Sequence, residues 1–393
     1  MHHTAPTEAH PIAARGIVDN NTVDRINKVD RIDTVRQVMR AASIDTLMVS
    51  IGANRRYLSG FHAEDGQFDE SAGVLLISAE KLMLATDPRY VDAARREATR
   101  FEVTCYRKGL VQALPGLLAG LGTRRLGFES RRVSYEDVTR LESALGGASL
   151  EIELVPLAAP VDPLRAVKSP DEIEKTRQAL AIAEDAFVAV RERIRPRITE
   201  KALAWELEKE IRERGAEALS FPIIVATGAN SALPHAVPTE RPVQAGEPIL
   251  FDWGARLDGY CSDTSRTVVV GAPDKTFTPI FETVHTAMQK AIAAIKPGVS
   301  GKAVDAVARE HIDQAGYEGR FNHSLGHGTG LMVHERPRLS PLKEDLLEEG
   351  MIVTVEPGIY IPDWGGVRLE NQVVIRADGA EVLNRTDASA WRV

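Results

Sequence analysis

The apolar positions in the first part of the chain follow two periods in alternation. Apolar residues at every third or fourth position predict helices, and short apolar runs predict strands. The helices are predicted at 30–43, 88–98, 111–121 and 134–145, and the strands at 46–51, 73–78, 81–86, 101–106, 126–129 and 150–155. Strands interleaved with helices indicate an α/β domain with a mixed sheet, which we assign to residues 29–157. Residues 1–28 lack a clear period, and we predict a loose arm there.

A proline-containing segment, residues 158–168, follows this domain and is the predicted linker. A capping box comes next, with Ser169 as the N-cap, Pro170 at the first helical position and Glu172 reaching back to the cap. We therefore predict that a second domain begins with a helix at residue 169 and extends to residue 393.

The second domain contains an internal repeat. Residues 195–203 and 296–304 share proline, lysine and alanine in register, and the same offset aligns a glycine that would end a helix in each copy. Thr199 and Ser300 are the predicted N-caps of these helices. Each copy is followed by a pair of strands that carries two carboxylates. The repeat therefore predicts two similar halves that meet at a pseudo-two-fold axis.

The first of these strand pairs turns at Asp258-Gly259, a dipeptide that suits a two-residue primed turn. If the residues that flank the turn pair with each other, Asp252 and Asp263 are diagonal neighbours on one face of the hairpin. Two like charges on an apolar sheet face cost free energy unless a cation lies between them. The second strand pair carries Glu356 and Glu370 in the same manner.

A glycine-rich stretch, residues 322–335, holds three histidines: His323, His327 and His334. The glycines remove side chains on both sides of His327, so the backbone there can approach a ligand or turn sharply. Four carboxylates and one imidazole are too many ligands for one ion and suit a two-metal centre. Oxygen-rich ligation favours Mn²⁺, with Co²⁺, Fe²⁺ or Zn²⁺ as alternatives, and the physiological ion stays open.

The order of these candidate ligands resembles that of the pita-bread metallopeptidases, which include methionine aminopeptidase, aminopeptidase P and Xaa-Pro dipeptidase (prolidase). The words around the ligands are similar too: Pro-His-Ala-Val-Pro at 234–238, Phe-Asp-Trp-Gly-Ala at 251–255 and Val-Glu-Pro-Gly-Ile-Tyr at 355–360. The resemblance implies an α/β (α+β) protein with an N-terminal creatinase/prolidase-like domain and a C-terminal pita-bread domain. It also implies hydrolysis of Xaa-Pro peptide bonds by a water molecule that two metal ions activate.

The resemblance assigns a role to each ligand. Asp263 and Glu370 would bridge both ions, and Asp252 would bind one of them. His327 and Glu356 would bind the other. Glu356 would also carry a proton from the attacking water to the leaving nitrogen.

The same comparison implies roles for further pocket residues. His334 and His235 would hydrogen-bond the scissile carbonyl or the developing tetrahedral oxygen, and His323 would line the substrate pocket. Arg368, near Tyr360, could grip a substrate carboxylate with two hydrogen bonds. The alternative is that Arg368 neutralises the carboxylate cluster, and the sequence does not separate the two.

Several functions remain open at this stage. Within the resembled branch we favour an Xaa-Pro dipeptidase over aminopeptidase P, with small peptides that carry proline at the second position as substrates. The same branch implies a homodimer. Outside it, a creatinase-like hydrolase or a catalytically silent binding module should lack the five ligands. Cleavage of a dipeptide compared with a longer peptide would separate the first two activities.

Composition narrows the class of protein. The chain has 393 residues, of which 44% are hydrophobic and 26% charged, which is ordinary for a soluble protein of two domains. Its net charge of −8 argues against a nucleic-acid binder, because such proteins usually carry a basic surplus. No apolar run approaches membrane-spanning length, so we expect no membrane partner and a cytoplasmic location.

Two cysteines and three arginines lie outside the predicted site. Cys105 and Cys261 fall in predicted strands of different domains, and we predict a buried thiol at each rather than a disulfide. Arg55, Arg56 and Arg89 lie in segments that resemble the N-terminal domain of the prolidase and creatinase branch. We predict that these arginines are solvated surface charges.

Overall fold

The structure is a computed structural model that describes residues 30–65 and 70–393. The N-terminal part is built on six strands: β1 (Thr46–Val49), β2 (Val74–Ser78), β3 (Leu82–Thr86), β4 (Glu102–Cys105), β5 (Arg125–Glu129) and β6 (Glu153–Leu157). Their order in the sheet is β4-β3-β2-β1-β5-β6, with β1 antiparallel to β2 and parallel to β5. The prediction of a mixed α/β sheet is confirmed. The predicted arm, residues 1–28, lies outside the described residues.

Helices cover both faces of this sheet: α1 (Arg31–Ala41), α2 (Gly52–Ser59), α3 (Val91–Glu97), α4 (Leu110–Leu121) and α5 (Tyr135–Gly147). Helices α1, α2 and α3 pack on one face, and α4 and α5 on the other. Because successive strand residues point to opposite faces, Leu47 packs with the first group of helices and Met48 with the second. Burial on both faces explains why the central strands β1 and β2 read as continuous apolar runs.

Helix α2 is absent from the sequence prediction because part of its buried face is polar. Arg55 is fully buried, and its guanidinium donates to two backbone carbonyls and pairs with Asp65. Arg56 pairs with Asp258, the residue at the tip of the predicted hairpin in the second domain. The prediction that Arg55 and Arg56 are solvated surface charges is therefore wrong, whereas Arg89 is exposed as predicted.

The short helix α6 (Asp162–Ala166) precedes the second domain. The first half of that domain contains two α-helices and six strands: α7 (Pro170–Arg191), α8 (Glu200–Glu213), β7 (Ala218–Leu219), β8 (Ile224–Thr227), β9 (Pro248–Trp253), β10 (Ala255–Leu257), β11 (Tyr260–Cys261) and β12 (Thr264–Val269). Strands β12-β9-β8 form one sheet and β11-β10-β7 another.

The second half follows the same plan with more strands. Its elements are α9 (Phe277–Ala294), α10 (Gly301–Ile312), β13 (Gly326–Gly328), β14 (Glu335–Leu339), β15 (Ile352–Val355), β16 (Gly358–Ile361), β17 (Gly365–Arg368), β18 (Asn371–Arg376) and β19 (Gly379–Val382). The sheet order is β14-β13-β15-β18-β19, and β16 pairs with β17. In both halves two helices therefore precede an antiparallel sheet.

The predicted repeat is present in the helices. The Thr199 side chain accepts a hydrogen bond from the backbone N–H of Ala202, and the Ser300 side chain accepts one from Ala303. The glycines that the repeat aligns, Gly215 and Gly316, have φ angles of +98° and +91°. Such angles suit glycine, because a Cβ atom disfavours the left-handed region.

The register predicted for the first hairpin is also confirmed. Leu257 pairs with Tyr260 across the Asp258-Gly259 turn, and the same register continues to Ser265 opposite Asp252. Gly254 lies between β9 and β10, where a Cβ atom would collide with the carbonyl oxygen of Ser262. A glycine at that point lets the two strands of the hairpin stay close beside the acidic residues.

The segment predicted as a linker is a fixed connection. It contains the short helix α6, and Arg165 and Lys168 are both buried. The Arg165 guanidinium lies 2.6 Å from Oε1 of Glu335 in β14, and the Lys168 ammonium lies 3.3 Å from Oε2 of the same carboxylate. The segment is therefore held to the strand that follows the glycine-rich histidine stretch.

Two further sequence expectations concern membrane-spanning segments and the cysteines. Within residues 30–65 and 70–393, none of the helices combines the length and the apolar character needed to cross a bilayer. Both cysteines are free thiols, and Cys261 is buried as predicted. Cys105 is only half-buried, because β4 is an edge strand of the sheet.

Candidate metal centre and substrate pocket

Three carboxylates converge where the two halves of the second domain meet. Asp252 lies near the end of β9, Asp263 immediately before β12, and Glu370 between β17 and β18. One carboxylate oxygen from each of these residues lies within 4.8 Å of the others, a spacing that could hold a metal ion.

Asp263 and Glu370 are buried and Asp252 is partly buried, an environment that suits a cation. Oδ1 of Asp252 and Oε1 of Glu370 are buried and have no hydrogen-bond partner among the described residues. Burial, together with the neighbouring carboxylates, raises the pKa of Asp263 and of Glu370 well above the usual values. Burial also raises the pKa of Asp252, in spite of the nearby Arg368. All three can ionise together only if positive charge lies among them, so the residues fit a bound metal.

The other two predicted ligands, His327 and Glu356, lie beside this cluster. Nε2 of His327 lies 3.3 Å from Oε1 of Glu356 and 3.6 Å from Oδ2 of Asp263. Its Nδ1 lies 3.1 Å from the carbonyl oxygen of Gly328, which leaves Nε2 to face the carboxylates. Burial alone would raise the pKa of Glu356, but the hydrogen bond and charge of His327 lower it to about 2.

The glycines beside His327 serve strand packing. A Cβ atom on Gly326 would collide with the carbonyl oxygen of Thr354 in β15, and one on Gly328 would collide with that of Arg336 in β14. Strand β13 can therefore lie between β14 and β15 only because both neighbours of His327 lack side chains. The sequence interpretation was that these glycines let the backbone approach a ligand. In the structure they let the backbone of β13 approach the neighbouring strands.

A cavity of about 480 Å³ opens onto this cluster. Its lining includes four of the candidate ligands and the apolar side chains of Phe221, Ile223, Val237 and Val333. The three further histidines selected from the sequence, His235, His323 and His334, also line it. The structure thus brings these sequence-selected residues to one place.

His334 and His235 reach the cavity from different loops. The His334 ring packs edge-on against the His327 ring, with 4.2 Å between ring centroids. Burial, and then the charge of His327, lower the pKa of His334 to about 4, so its imidazole is neutral at neutral pH. A neutral imidazole can donate one hydrogen bond, which suits a position beside a substrate oxygen. His235 is exposed on the segment after β8.

A chain of hydrogen bonds runs from Asp252 to His323. The Arg368 guanidinium donates to Oδ2 of Asp252 at 2.7 Å and to the Tyr360 hydroxyl at 2.8 Å. The Tyr360 hydroxyl lies 2.9 Å from Nε2 of His323, whose Nδ1 lies 2.8 Å from the Ser324 carbonyl oxygen. Burial raises the pKa of Tyr360 to about 12 and lowers that of His323. A protonated Tyr360 therefore donates to a neutral His323.

These hydrogen bonds help to decide between the two roles considered for Arg368. Its guanidinium also donates to Oγ of Ser265 and to the carbonyl oxygen of Pro234, and only 3% of the side chain is exposed. Most of its donors are thus occupied by the protein. The contacts favour the reading in which Arg368 neutralises the acidic cluster over the one in which it grips a substrate.

Sequence reasoning missed a second arginine in the cavity, Arg338. It lies in β14 directly opposite His327 of β13, so both side chains point to the same face. Its backbone N–H donates to Asp345, but within residues 30–65 and 70–393 its half-buried guanidinium makes no hydrogen bond or ion pair. Arg336, two residues earlier, pairs with Asp345 outside the cavity. The sequence offered two similar arginines, and only the strand pairing shows which one faces the pocket.

Comparisons with known proteins agree with this geometry. Residues 174–377 match the metallopeptidase family M24, and residues 31–167 match the creatinase/prolidase N-terminal domain. The chain is 34% identical over 360 residues to an Xaa-Pro dipeptidase of Pyrococcus horikoshii, which covers 91% of this chain and 97% of the relative.

Two solved structures are similar over almost their whole length. An Xaa-Pro dipeptidase from Bacillus anthracis has a TM-score of 0.87 and 36% identity, with 92% of this chain and 99% of that chain covered. An X-Pro aminopeptidase from Thermotoga maritima has a TM-score of 0.81 and 36% identity, with 91% and 100% covered. The resemblance drawn from the order of the ligands is confirmed: this chain belongs to metallopeptidase family M24 and is a peptidase that uses divalent metal ions.

Proposed function

We propose that this metallopeptidase hydrolyses Xaa-Pro dipeptides and that its site holds two divalent metal ions, with Mn²⁺ as the favoured ion. The convergence of the candidate ligands supports this activity over a creatinase-like hydrolase or a silent binding module. Relatives named as Xaa-Pro dipeptidases support the substrate class. A relative named as an X-Pro aminopeptidase keeps cleavage of longer peptides as the alternative. The homodimer and the cytoplasmic location stay predictions from the sequence.

The residues that would hold the ions are the five predicted ligands: Asp252, Asp263, His327, Glu356 and Glu370. Bound divalent ions would lower the pKa of a water molecule and polarise the scissile carbonyl. The ionised carboxylate of Glu356 can accept the proton of the attacking water and release it to the proline nitrogen.

The pocket histidines supply hydrogen bonds to the substrate. The neutral imidazole of His334, and His235 across the cavity, can donate to the carbonyl oxygen as negative charge develops on it. His323 receives a hydrogen bond from Tyr360, and its ring is therefore held in one orientation at the cavity wall.

The guanidinium of Arg338, which is unpaired among the described residues, is the observation that favours a dipeptide as the substrate. A dipeptide presents its own carboxylate one residue beyond the scissile bond, whereas a longer peptide presents an uncharged carbonyl there. The Arg338 guanidinium faces the cavity beside His327 and has no partner in the described part of the chain. An unpaired guanidinium in that position is suited to a carboxylate.

The test compares Arg338→Ala with the unchanged enzyme on Ala-Pro and on the uncharged Ala-Pro amide. We expect kcat/KM for Ala-Pro to fall about 10- to 150-fold, because a hydrogen bond to a charged group contributes about 1.5–3 kcal/mol. For the amide we expect a change of about threefold or less, under about 1 kcal/mol. Arg336→Ala is the matched control, since that arginine pairs with Asp345 outside the cavity.

Two results would contradict the proposal. An equal loss on both substrates would mean that Arg338 does not bind the terminal carboxylate. A higher kcat/KM on Ala-Pro-Gly than on Ala-Pro would favour the aminopeptidase. Metal content measured on the same samples identifies the ion and its number.

A further inference from the structure

We propose that each half of the second domain positions one pocket histidine through a charged side chain on its second helix. Glu200 of α8 positions His235, and Arg309 of α10, held by Asp305, positions His323. This inference rests on the proposed function, because it assumes that both histidines contact the substrate. Neither Glu200 nor Arg309 lines the cavity, so each would act through the loop it holds.

Glu200 is a buried carboxylate whose hydrogen bonds all come from one loop. Its side chain is fully buried at the first position of α8. Oε1 accepts from the backbone N–H of Thr227 at 2.7 Å and Oε2 from that of Thr239 at 2.8 Å. The hydroxyls of both threonines and the amide of Asn230 donate to the same carboxylate. The carboxylate therefore ties together the two ends of residues 227–239, which we call the His235 loop.

Such a carboxylate would be costly if it served only the stability of the helix. A buried ionised group loses its hydration, and here hydrogen bonds from the His235 loop replace that hydration. His235 itself is exposed, and the described residues provide it with no hydrogen-bond partner. The position of its imidazole is therefore set by the backbone on either side, and Glu200 holds that backbone at both ends.

The second half holds His323 with different residues. Oδ1 of the buried Asp305 accepts from the backbone N–H of Leu325 at 3.0 Å, and its carboxylate also pairs with Arg309. The Arg309 guanidinium donates to the carbonyl oxygens of Phe321 at 2.6 Å and His323 at 2.9 Å. These contacts fix the backbone before and after the histidine, residues 321–325, which we call the His323 loop.

Aromatic contacts extend this support to the ring of His323. The Arg309 guanidinium lies over the Phe321 ring, 4.3 Å from its centroid, and the Phe321 ring meets the His323 ring edge-on at 4.9 Å. The charged group therefore reaches the imidazole by two routes, through the backbone carbonyl and through the neighbouring ring.

The two copies thus perform the same task at different helix positions. The repeat aligns Thr199 with Ser300, and so aligns Glu200 with Gly301, which has no side chain. The charged pair of the second copy lies farther along α10. Each charged group nevertheless reaches the loop beside the first strand of its own sheet, β8 or β13. The shared requirement is an ordered pocket loop rather than a shared residue.

The test uses double-mutant cycles with each histidine. In the unchanged enzyme, the N–H groups of Thr227 and Thr239 donate to the Glu200 carboxylate. Glu200→Gln replaces one acceptor oxygen with an NH₂ group, which is itself a donor, so the His235 loop should shift. A displacement of about 1 Å at a reacting group can cost about 100-fold in rate. We therefore expect Glu200→Gln to lower kcat/KM for Ala-Pro by about 10- to 100-fold in the unchanged enzyme and in His323→Ala. In His235→Ala we expect its effect to shrink to about twofold or less.

Arg309→Gln should show the reverse pattern. Its effect should persist in His235→Ala and largely disappear in His323→Ala. Metal content should stay at the level of the unchanged enzyme in both variants, because neither residue contacts a candidate ligand. Glu210→Gln is the matched control for activity, since Glu210 lies on the same helix and pairs with Arg193 and Arg214 but not with the His235 loop.

The outcomes separate this inference from the function on which it rests. If His235→Ala and His323→Ala hydrolyse Ala-Pro normally, the roles proposed for the histidines fail, and this inference fails with them. If those variants are impaired but the effects of Glu200→Gln and Arg309→Gln are equal in every background, this inference alone fails. If Glu200→Gln does not fold, Thr239→Val replaces it, because it removes one hydroxyl bond to Glu200 from an exposed residue. The same cycle pattern is then required, with a smaller loss.

Discussion

Asp263→Asn and Glu370→Gln are each expected to abolish metal-dependent hydrolysis and to leave the fold intact. Both residues belong to the cluster whose oxygens lie within 4.8 Å of one another. An amide in place of either carboxylate removes one negative charge and a proposed metal ligand from a buried site. Loss of metal catalysis removes several kcal/mol of transition-state stabilisation, which corresponds to a rate loss of about 1,000-fold or more.

The measurement combines Ala-Pro hydrolysis, metal content and thermal unfolding. Metal content should fall in both variants. The metal-free variants should unfold at temperatures no lower than the metal-free parent, because the amide relieves repulsion among buried carboxylates. Asp92→Asn, a change at an exposed carboxylate of α3, is the control and should leave all three readouts unchanged. Full activity with undiminished metal content in Asp263→Asn or Glu370→Gln would exclude these residues as ligands.

Glu335→Ala is expected to lower the free energy of unfolding by about 3–5 kcal/mol, because it leaves two buried cations without their counter-charge. Arg165 and Lys168 are 4% and 2% exposed, and their shared carboxylate is 3% exposed. Burial lowers the pKa of Lys168, so this position disfavours an unpaired ammonium. The same change removes the hydrogen bond that the backbone N–H of Met332 donates to Glu335. Met332 lies two residues before the pocket residue His334, so activity should fall as well.

Urea unfolding measures this effect, with Glu344→Ala as the control. Glu344 pairs with Lys302 on the surface, so its loss should cost less than about 1 kcal/mol. A triple variant with methionine at 165, 168 and 335 should recover most of the lost stability, because it removes the unpaired charges together. If Glu335→Ala unfolds at the same urea concentration as Glu344→Ala, the network does not hold the two parts of the chain together.

Local rules were sufficient where one short segment decided the structure. The Asp258-Gly259 turn sets the register of the first hairpin, and that register places Asp252 and Asp263 on one face. The helix caps at Thr199 and Ser300 each depend on a contact three residues away, and both contacts are present. In such cases the interacting groups are close along the chain, so their spacing carries the information.

The same rules failed where partners came from distant parts of the chain. Arg55 and Arg56 have the composition of a surface helix, yet Arg55 is fully buried among backbone carbonyls and Asp65, and Arg56 is half-buried and pairs with Asp258. A polar residue can be interior whenever the fold brings it enough hydrogen-bond partners. Composition cannot report those partners.

The sequence by itself determined the type and order of the proposed metal ligands, the repeat that brings these residues together and the family to which the chain belongs. Only the tertiary structure decided that Arg368 is occupied by Asp252 and Tyr360 while Arg338 is free to face the cavity. The physical reason is that ligand chemistry belongs to each residue type, whereas the availability of a charged group depends on which neighbours the folded chain places around it.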